Sequence, residues 1–268
     1  MKIGILGLGK IGEALTQGLL SSRDAGSFTI QATTKSQASA AEAAKTLKIN
    51  CHTDNKKLVA DCDVIVLSVK PYQAQAILEA LAPSLQSRHL IISVCAALTT
   101  SQIAEWSGGK AAVLRSMPNT PCLIGEGMTV LAPGAGAQAK HLEIGEKIFN
   151  TVGKTAVVEE HLMDGVTGLS GCGPAYIYLI IEALSEAGVK VGLPRQVSTL
   201  LAAQTLLGSA KMVLSRGEHP AALKDEVTTP AGCTIDGLMA LEDGKLRVTL
   251  IKAVLAATRR SKILSKKS

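Results

Sequence analysis

Lys2-Ile3-Gly4-Ile5-Leu6-Gly7-Leu8-Gly9-Lys10-Ile11-Gly12-Glu13-Ala14-Leu15 is the stretch that decides the fold. Lys2 to Leu6 reads as a buried strand, Gly7 to Gly12 as a glycine turn, and Glu13 onward to Leu20 as an amphipathic helix. Glycines spaced this way have three tasks. Gly7 permits the tight turn, Gly9 lets backbone approach a pyrophosphate, and Gly12 lets the helix pack on the strand. The helix N-terminus adds unpaired N–H groups and the positive end of its dipole. The stretch therefore predicts a dinucleotide site at Gly7, Leu8, Gly9, Lys10, Ile11 and Gly12, against a plain tight turn as the competing reading.

Outward from it, strands and helices alternate. Phe28–Thr33 reads as a second strand and Ser36–Leu47 as an Ala-rich helix. Asp63–Val69 is an apolar strand ended by Lys70-Pro71, with a helix over Tyr72–Leu81. His89–Val94, Ala112–Arg115, Gly127–Leu131 and Thr155–Val158 follow as strands, the last two separated by a helix near Gln138–Phe149. Apolar runs without alternation belong to strands covered on both faces, which implies a doubly wound parallel sheet. Past His161 only helical patterns remain. One runs from Pro174 to Ala187 with Gly188 as its stop, and another from Pro194 to Ser215 with Gly217 beyond. Shorter ones cover Pro220–Glu226 and begin near Ile235. The last spans Leu246–Leu264. The expected architecture is α/β: a doubly wound sheet over residues 1–160, then an all-α domain over 161–268. Leu200, Leu201, Leu206, Leu207, Val213 and Leu214 leave one helix apolar on several sides. Such a helix needs partners, so the second domain is predicted to form an intertwined homodimer.

Aromatic residues make up only 2% of the chain, so Ala, Leu, Val and Ile must fill the core. The net charge of +6 draws on a terminal cluster of Arg259, Arg260, Lys262, Lys266 and Lys267. With almost no aromatics for base stacking, that cluster reads as a solvated tail and not as a nucleic-acid surface. The positive balance favours small anionic ligands. Six scattered cysteines form no C-x-x-C pair, which fits reduced thiols and a cytoplasmic protein. Lys10 and Glu13 break any resemblance of the N-terminus to a signal peptide. No run approaches 18 uninterrupted apolar residues, so no membrane span is expected. The five histidines have no metal-ligand spacing, and Asp61-Cys62-Asp63 reads as turn chemistry.

A dinucleotide site for NAD places a carboxylate about 20 residues past the glycines, on the ribose hydroxyls. The corresponding strand end here is Ala32-Thr33-Thr34-Lys35-Ser36. Two hydroxyls and a cation at Thr33, Thr34 and Lys35 suit a 2′-phosphate, so NADP is the expected coenzyme, with NAD admitted as an alternative. The competing reading makes Thr34 or Ser36 a cap for the next helix. Asn55, in a loop, is a candidate for the adenosine ribose. Other strand ends supply Val69, Lys70, Pro71, Cys95, Ala96 and Ala97, the alanines backing the nicotinamide. Asn119 is a candidate to orient the carboxamide or the substrate.

A second candidate site is Thr229-Pro230-Ala231-Gly232-Cys233-Thr234, dense in small residues and directly before a helix. Its N–H groups and two hydroxyls can receive a carboxylate, or Thr234 can simply cap the helix. Leu223 through Leu238 around this turn resembles the signature of pyrroline-5-carboxylate reductases. The resemblance extends over Val69-Lys70-Pro71, Cys95-Ala96-Ala97, Arg115 through Pro121 and Leu169 through Tyr176 in the same order. It implies a Rossmann domain followed by a helical dimerisation domain, often in rings of dimers. It also implies reduction of the cyclic imine 1-pyrroline-5-carboxylate by NAD(P)H in the last step of proline synthesis. The family commonly has Gly where Ala231 stands, Thr or Ala at Cys233, and often Ser at Thr229.

On that resemblance, Thr234 lies beside the imine nitrogen as the catalytic hydroxyl, hydrogen bonding or relaying a proton from water. Thr229, Ala231, Gly232 and Cys233 hold the carboxylate. Cys233 could instead be a redox-controlled thiol, though small cysteines of this kind are more often inert. A β-hydroxyacid dehydrogenase is disfavoured, because Ile177 stands where its lysine belongs after Gly171-Cys172-Gly173. A non-catalytic NADP-binding regulator would need the glycine turn without the second site.

Overall fold

The computed structural model describes residues 1–134 and 136–265, so Lys266 and Lys267 of the basic tail lie outside the described residues. Contacts divide the chain into two compact units, Met1–Cys172 with the stretch from Leu255 onward, and Gly173–Val254. The predicted boundary after residue 160 marks a different event, the change from sheet to helix, since the last strand ends at Val157.

In the first unit the chain forms β1 (Lys2–Leu6), α1 (Lys10–Ser21), β2 (Thr29–Thr33), α2 (Gln37–Leu47), β3 (Asn50–His52) and α3 (Asn55–Asp61). There follow β4 (Val64–Leu67), α4 (Pro71–Leu81), β5 (Leu90–Ser93), α5 (Thr100–Trp106) and β6 (Ala112–Met117). The unit continues with β7 (Gly127–Pro133), α6 (Ala139–Phe149), β8 (Gly153–Val157) and the short α7 (Met163–Val166). The sheet order is β3-β2-β1-β4-β5-β6-β7-β8. Neighbours from β3 through β6 are parallel, as expected, but β7 runs antiparallel to β6, and β8 is parallel to β7. The reversal has a local cause. Only a single 3₁₀ turn, Thr120–Ile124, separates β6 from β7, and so short a link cannot carry a parallel crossover.

Side chains on the two faces of the sheet enter two cores, so the unit is covered on both sides. Ile3, Ile5, Val64, Val66, Ile92 and Leu114 pack with Leu15, Leu19 and Phe149 of α1 and α6. Leu6, Ile65, Leu67, Ile91 and Val113 pack with Leu58, Leu78 and Ile103 of α3, α4 and α5. A Cβ at Gly4 would lie 2.3 Å from Leu58 Cδ2, so this glycine lets α3 approach β1. One buried charge braces the unit. Glu160 Oε1 accepts from Thr100 N at 2.6 Å and faces Arg115 Nη1 at 3.5 Å, joining the start of α5 to β6.

The second unit contains α8 (Gly173–Lys190), α9 (Arg195–Arg216), α10 (Pro220–Glu226), α11 (Cys233–Asp243) and the first part of α12 (Leu246–Ser265). Gly188 does not stop α8; it lies inside the helix. A Cβ there would sit 1.9 Å from Ser198 Oγ, so the glycine is needed for the close approach of α9. Ser198 Oγ donates to Ser185 O at 2.6 Å, and the Ser185 and Thr199 hydroxyls meet at 2.6 Å. Gly217 ends α9 in the left-handed region, φ 66°, as predicted. Beyond that seam the helices are bare, with Leu200 67% and Leu214 78% exposed. By length and composition α9 also suffices to cross a membrane, with a mean hydropathy of 1.3 over 18 residues. Polar Ser198, Thr199 and Gln204 interrupt its apolar run without lowering that average enough to exclude it.

His89, at the start of β5, is buried, and its Nδ1 accepts the Gln86 N–H at 2.9 Å. Burial, reinforced by the neighbouring Arg88 cation and opposed by Asp63, holds its pKa below the ordinary 6.5. A folded-state pKa below the unfolded one means that the unfolded chain takes up the proton first as pH falls. Stability should therefore decline as pH drops through 6.5 and below. Urea unfolding across that range should show a shallower decline in His89→Phe, which is less stable throughout.

Candidate active site

The loops that follow parallel strands β1 to β5 surround a cleft of about 920 Å³ at the C-terminal edge of the sheet. Strand order reverses between β1 and β4, the usual crevice of such sheets. The three glycines take the predicted roles. Gly7 has φ +90°, and a Cβ on it would meet Ser68 O at 2.8 Å. Gly12 is buried, with Gly7 O 2.6 Å from its would-be Cβ, so it is a packing residue behind the cleft. At Gly9 nothing lies within 4 Å of that position, leaving backbone open to a ligand. Gly9 is also the N-cap of α1, without a side-chain cap, so the first N–H groups of the helix face the cleft unsatisfied by one.

Of the predicted residues, Gly7, Leu8, Gly9, Lys10, Ile11, Thr33, Thr34, Lys35, Asn55, Val69, Lys70, Pro71, Cys95 and Ala96 line this cleft. Ala97 does not. It is buried behind Ala96 with φ +65°, an αL backbone that costs a non-glycine residue on the order of 1 kcal/mol. Asn55 is not a loop residue but the first residue of α3. Ser36, not Thr34, caps α2, accepting from Ser39 N at 3.2 Å, while the Thr34 hydroxyl donates to Ser36 O at 3.0 Å. Sequence reading missed Ser39, Thr53, Ser68, Gln73 and Ile77. Gln73 and Ile77 follow Lys70 at helical spacing, a signal that was available. Thr53 follows β3, whose three residues are too few to show a pattern.

No Asp or Glu is among the described residues lining the cleft, while Lys10, Lys35 and Lys70 all are. Asp54, the nearest acid in sequence to Asn55, is already committed. Its Oδ1 accepts from Lys56 N at 2.9 Å and Lys57 N at 3.0 Å as the cap of α3. The Lys57 bond, aided by Lys56, holds its carboxyl below the usual range. The residues present thus fit a coenzyme with an extra phosphate, because they offer cations and hydroxyls where a ribose diol would want a carboxylate. At the other end of the cleft, Cys95 Sγ donates to Val69 O at 3.2 Å, and burial pushes its pKa up to about 11. This thiol ties two strand ends together and is not a nucleophile.

Both ends of the Asn119 amide are engaged by backbone. Its Nδ2 donates to Ser170 O at 3.1 Å, and its Oδ1 accepts from Met128 N at 2.9 Å. Pro174 has no N–H to give the carbonyl four residues earlier, and the asparagine supplies the missing donor. The chain widens into a π-turn over Thr167–Gly171 at this point, with Cys172 N bonded to Thr167 O at 2.9 Å.

The second candidate site is in the helical unit. Thr229-Pro230-Ala231-Gly232 closes a turn in which Gly232 N donates to Thr229 O at 3.1 Å. That N–H, expected to hold a carboxylate, is consumed by the turn. Ala231 sits at φ +56°, the αL conformation a glycine would take without strain. A Cβ on Gly232 would lie 2.4 Å from Thr229 Oγ1, so a larger residue there would displace that hydroxyl. Gly232, not Thr234, is the N-cap of α11, with no side-chain cap. Cys233, Thr234 and Ile235 therefore present first-turn N–H groups, and the Thr234 hydroxyl is not spent on capping. The thiol of Cys233 is exposed.

A phosphate-ready cleft at the switch point of a Rossmann sheet, with an all-helical second unit, defines a dinucleotide-binding dehydrogenase or reductase architecture. Residues 2–97 match the sequence profile described as NADP oxidoreductase, coenzyme F420-dependent, and residues 160–264 that described as pyrroline-5-carboxylate reductase dimerisation. The chain is 39% identical to the pyrroline-5-carboxylate reductase of Arabidopsis thaliana over 98% of its own length and 95% of the relative's. A crystal structure of the Plasmodium falciparum pyrroline carboxylate reductase with NADP bound has 36% identity and a TM-score of 0.85, covering 99% of this chain and 98% of that one. The Coxiella burnetii pyrroline-5-carboxylate reductase has 34% identity and a TM-score of 0.91, covering 98% and 97%. The chain belongs to the pyrroline-5-carboxylate reductase family.

If Asn119 is a brace, Asn119→Ala leaves the Ser170 carbonyl and the Met128 N–H without their partner. Chemical denaturation at fixed protein concentration should show a loss of about 1–3 kcal/mol.

Proposed function

We infer that this protein reduces 1-pyrroline-5-carboxylate to L-proline with NADPH, the last step of proline synthesis. The observation that carries this reading is the presence, in one chain, of a carboxylate-free cationic dinucleotide cleft and an uncapped helix N-terminus bearing the Thr234 hydroxyl.

When bound, NADPH supplies a hydride; this chain's residues hold the acceptor and the proton. The N–H groups of Cys233 and Thr234, joined by that of Ile235, receive the substrate carboxylate at the positive end of α11. Thr229 supports them through its hydroxyl, and Ala231 and Gly232 shape the turn. The imine nitrogen must carry a proton when hydride adds to its carbon, because otherwise an unstable amide anion would result. Thr234 is a feeble acid, so its hydroxyl orients the nitrogen and relays a proton from water. Orientation alone can contribute up to roughly 7–11 kcal/mol. Coenzyme contacts fall to Gly7 through Ile11, Thr33, Thr34, Lys35, Asn55, Val69 through Pro71, and Cys95 with Ala96, while Gly12 packs α1 behind them. Ala97 acts from behind, through its backbone.

The helical part makes the enzyme an oligomer. The bare apolar faces of α8 and α9 support a homodimer, several of which would form a ring, and the same burial accounts for the hydropathy of α9 without a membrane. Cytoplasmic placement is supported by six unpaired cysteines.

Purified protein mixed with NADPH and 1-pyrroline-5-carboxylate should deplete the absorbance of reduced coenzyme and yield proline; no depletion refutes the function. NADPH should surpass NADH in kcat/KM, and the reverse order would refute the phosphate reading of Thr33 to Lys35. Thr234→Ala should lower kcat/KM at least tenfold, about 1.4 kcal/mol. Unchanged kinetics would remove that hydroxyl from the mechanism.

A further inference from the structure

The cleft wall at Cys95-Ala96 adjoins a strained residue whose anchors lie away from the ligand. Ala97 has φ +65°, and an αL alanine persists only where the chain on both sides of it is fixed. Upstream, Cys95 is fixed by its N–H, which donates to Ser93 Oγ at 3.2 Å, and by its Sγ, which donates to Val69 O at 3.2 Å. Downstream, Leu98 is buried, but apolar contact is non-directional and does not set the rotation of the backbone. Thr99 and Gln102 box the start of α5, a bond internal to that helix. Glu160 ties the same helix start to the sheet. Its Oε1 accepts from Thr100 N at 2.6 Å and its Oε2 from Thr100 Oγ1, so both carboxylate oxygens grip one residue. Buried Arg115 on β6 holds the carboxylate from the other side at 3.5 Å. A Cβ on Gly134, just past β7, would lie 2.2 Å from Thr100 Cβ, so that glycine makes room for the gripped residue.

Glu160, Thr100 and Arg115 are not among the residues that line the dinucleotide cleft, whereas Val94, Cys95 and Ala96 are. Resting on the dinucleotide reading of this cleft, we propose that Glu160 is a positioning residue for the nicotinamide end of the coenzyme. It acts through Thr100 and the strained Ala97 on the backbone of Ala96. Without the clamp the start of α5 is free to turn and Ala97 to leave αL, taking the Ala96 wall with it. The adenosine end of the cleft is built on other loops, with Thr33, Thr34 and Lys35 after β2 and Thr53 and Asn55 after β3, so it keeps its shape.

Binding without substrate tests the assignment independently of imine reduction. Calorimetric titration gives the Kd of NADPH and of 2′-phospho-ADP-ribose, the same coenzyme lacking its nicotinamide. Removing Glu160 alone would strand the buried Arg115 cation, so the variants are made in R115M, which leaves the Thr100 clamp in place. R115M should keep the wild-type ratio of the two constants. R115M/E160A should raise the Kd of NADPH about fivefold or more, the scale of αL strain, with that of the fragment unchanged. R115M/E160Q should restore it, because the amide can accept from Thr100 N and donate to Thr100 Oγ1. Adding A97G to R115M/E160A should also recover affinity, since glycine adopts αL without an anchor. T100V, which keeps the ion pair and loses only the hydroxyl, should weaken NADPH alone. Equal losses for both ligands, unchanged NADPH affinity in both R115M/E160A and T100V, or no recovery on adding A97G would each overturn the assignment. A chain that binds as described yet does not reduce the imine would leave Glu160 in this role and refute the function.

Discussion

Backbone donors left over at the start of a helix are the constraint on which this structure depends. An α-helix cannot pair its own first N–H groups, and side chains or ligands must do so instead. Many helices here satisfy the rule internally. Ser36 caps α2, Asp54 caps α3, and Thr99 with Gln102 forms a reciprocal box on α5. Two helices that begin at the candidate sites are different. Neither α1 nor α11 has a side-chain cap, and in each the N-cap is a glycine. A cap that adds no side chain leaves room for an anion at the start of each of these helices.

The surroundings of those two helix starts keep them usable. Gly7 and Gly12 bring the turn and α1 against β1 and β4, with would-be Cβ contacts of 2.8 and 2.6 Å that no larger residue could accept. In the helical unit Gly232 leaves room for the Thr229 hydroxyl, and Ala231 accepts an αL backbone at some cost in strain. Strain of this kind persists only where the surrounding structure over-determines the conformation. Ala97 in the first unit is a second case, so both candidate sites hold an alanine where glycine would be relaxed. Asn119 belongs to the same support. It replaces a donor that Pro174 cannot provide and so permits a proline near the beginning of α8.

The element order of the first unit was legible because its strands are apolar throughout and its helices begin at recognisable signals. What escaped was short or reversed. Three-residue β3 carries no period, and the antiparallel β7 looks in sequence like any other apolar strand. Gly188 was misread for a physical reason. A glycine within a helical run reads as a terminator unless the partner helix is known, and its partner, Ser198, lies ten residues on, across a turn. The capping alternative for Thr234 lay two residues too far along the chain, because Gly232 is an equally good N-cap and pattern alone does not choose between them.

The sequence by itself determined which residue types were available to each site. It supplied glycines at three spaced positions, hydroxyls and a lysine where a carboxylate would mark NAD, and a family signature around Thr229 to Thr234. Those are local properties, carried by neighbours in the chain. Only the tertiary structure decided which of them are free to act. Asp54, Asn119 and the Gly232 N–H are chemically suitable for ligands, yet each is already paired with backbone. Availability depends on where every other donor and acceptor ends up, and that is settled only when the whole chain has folded.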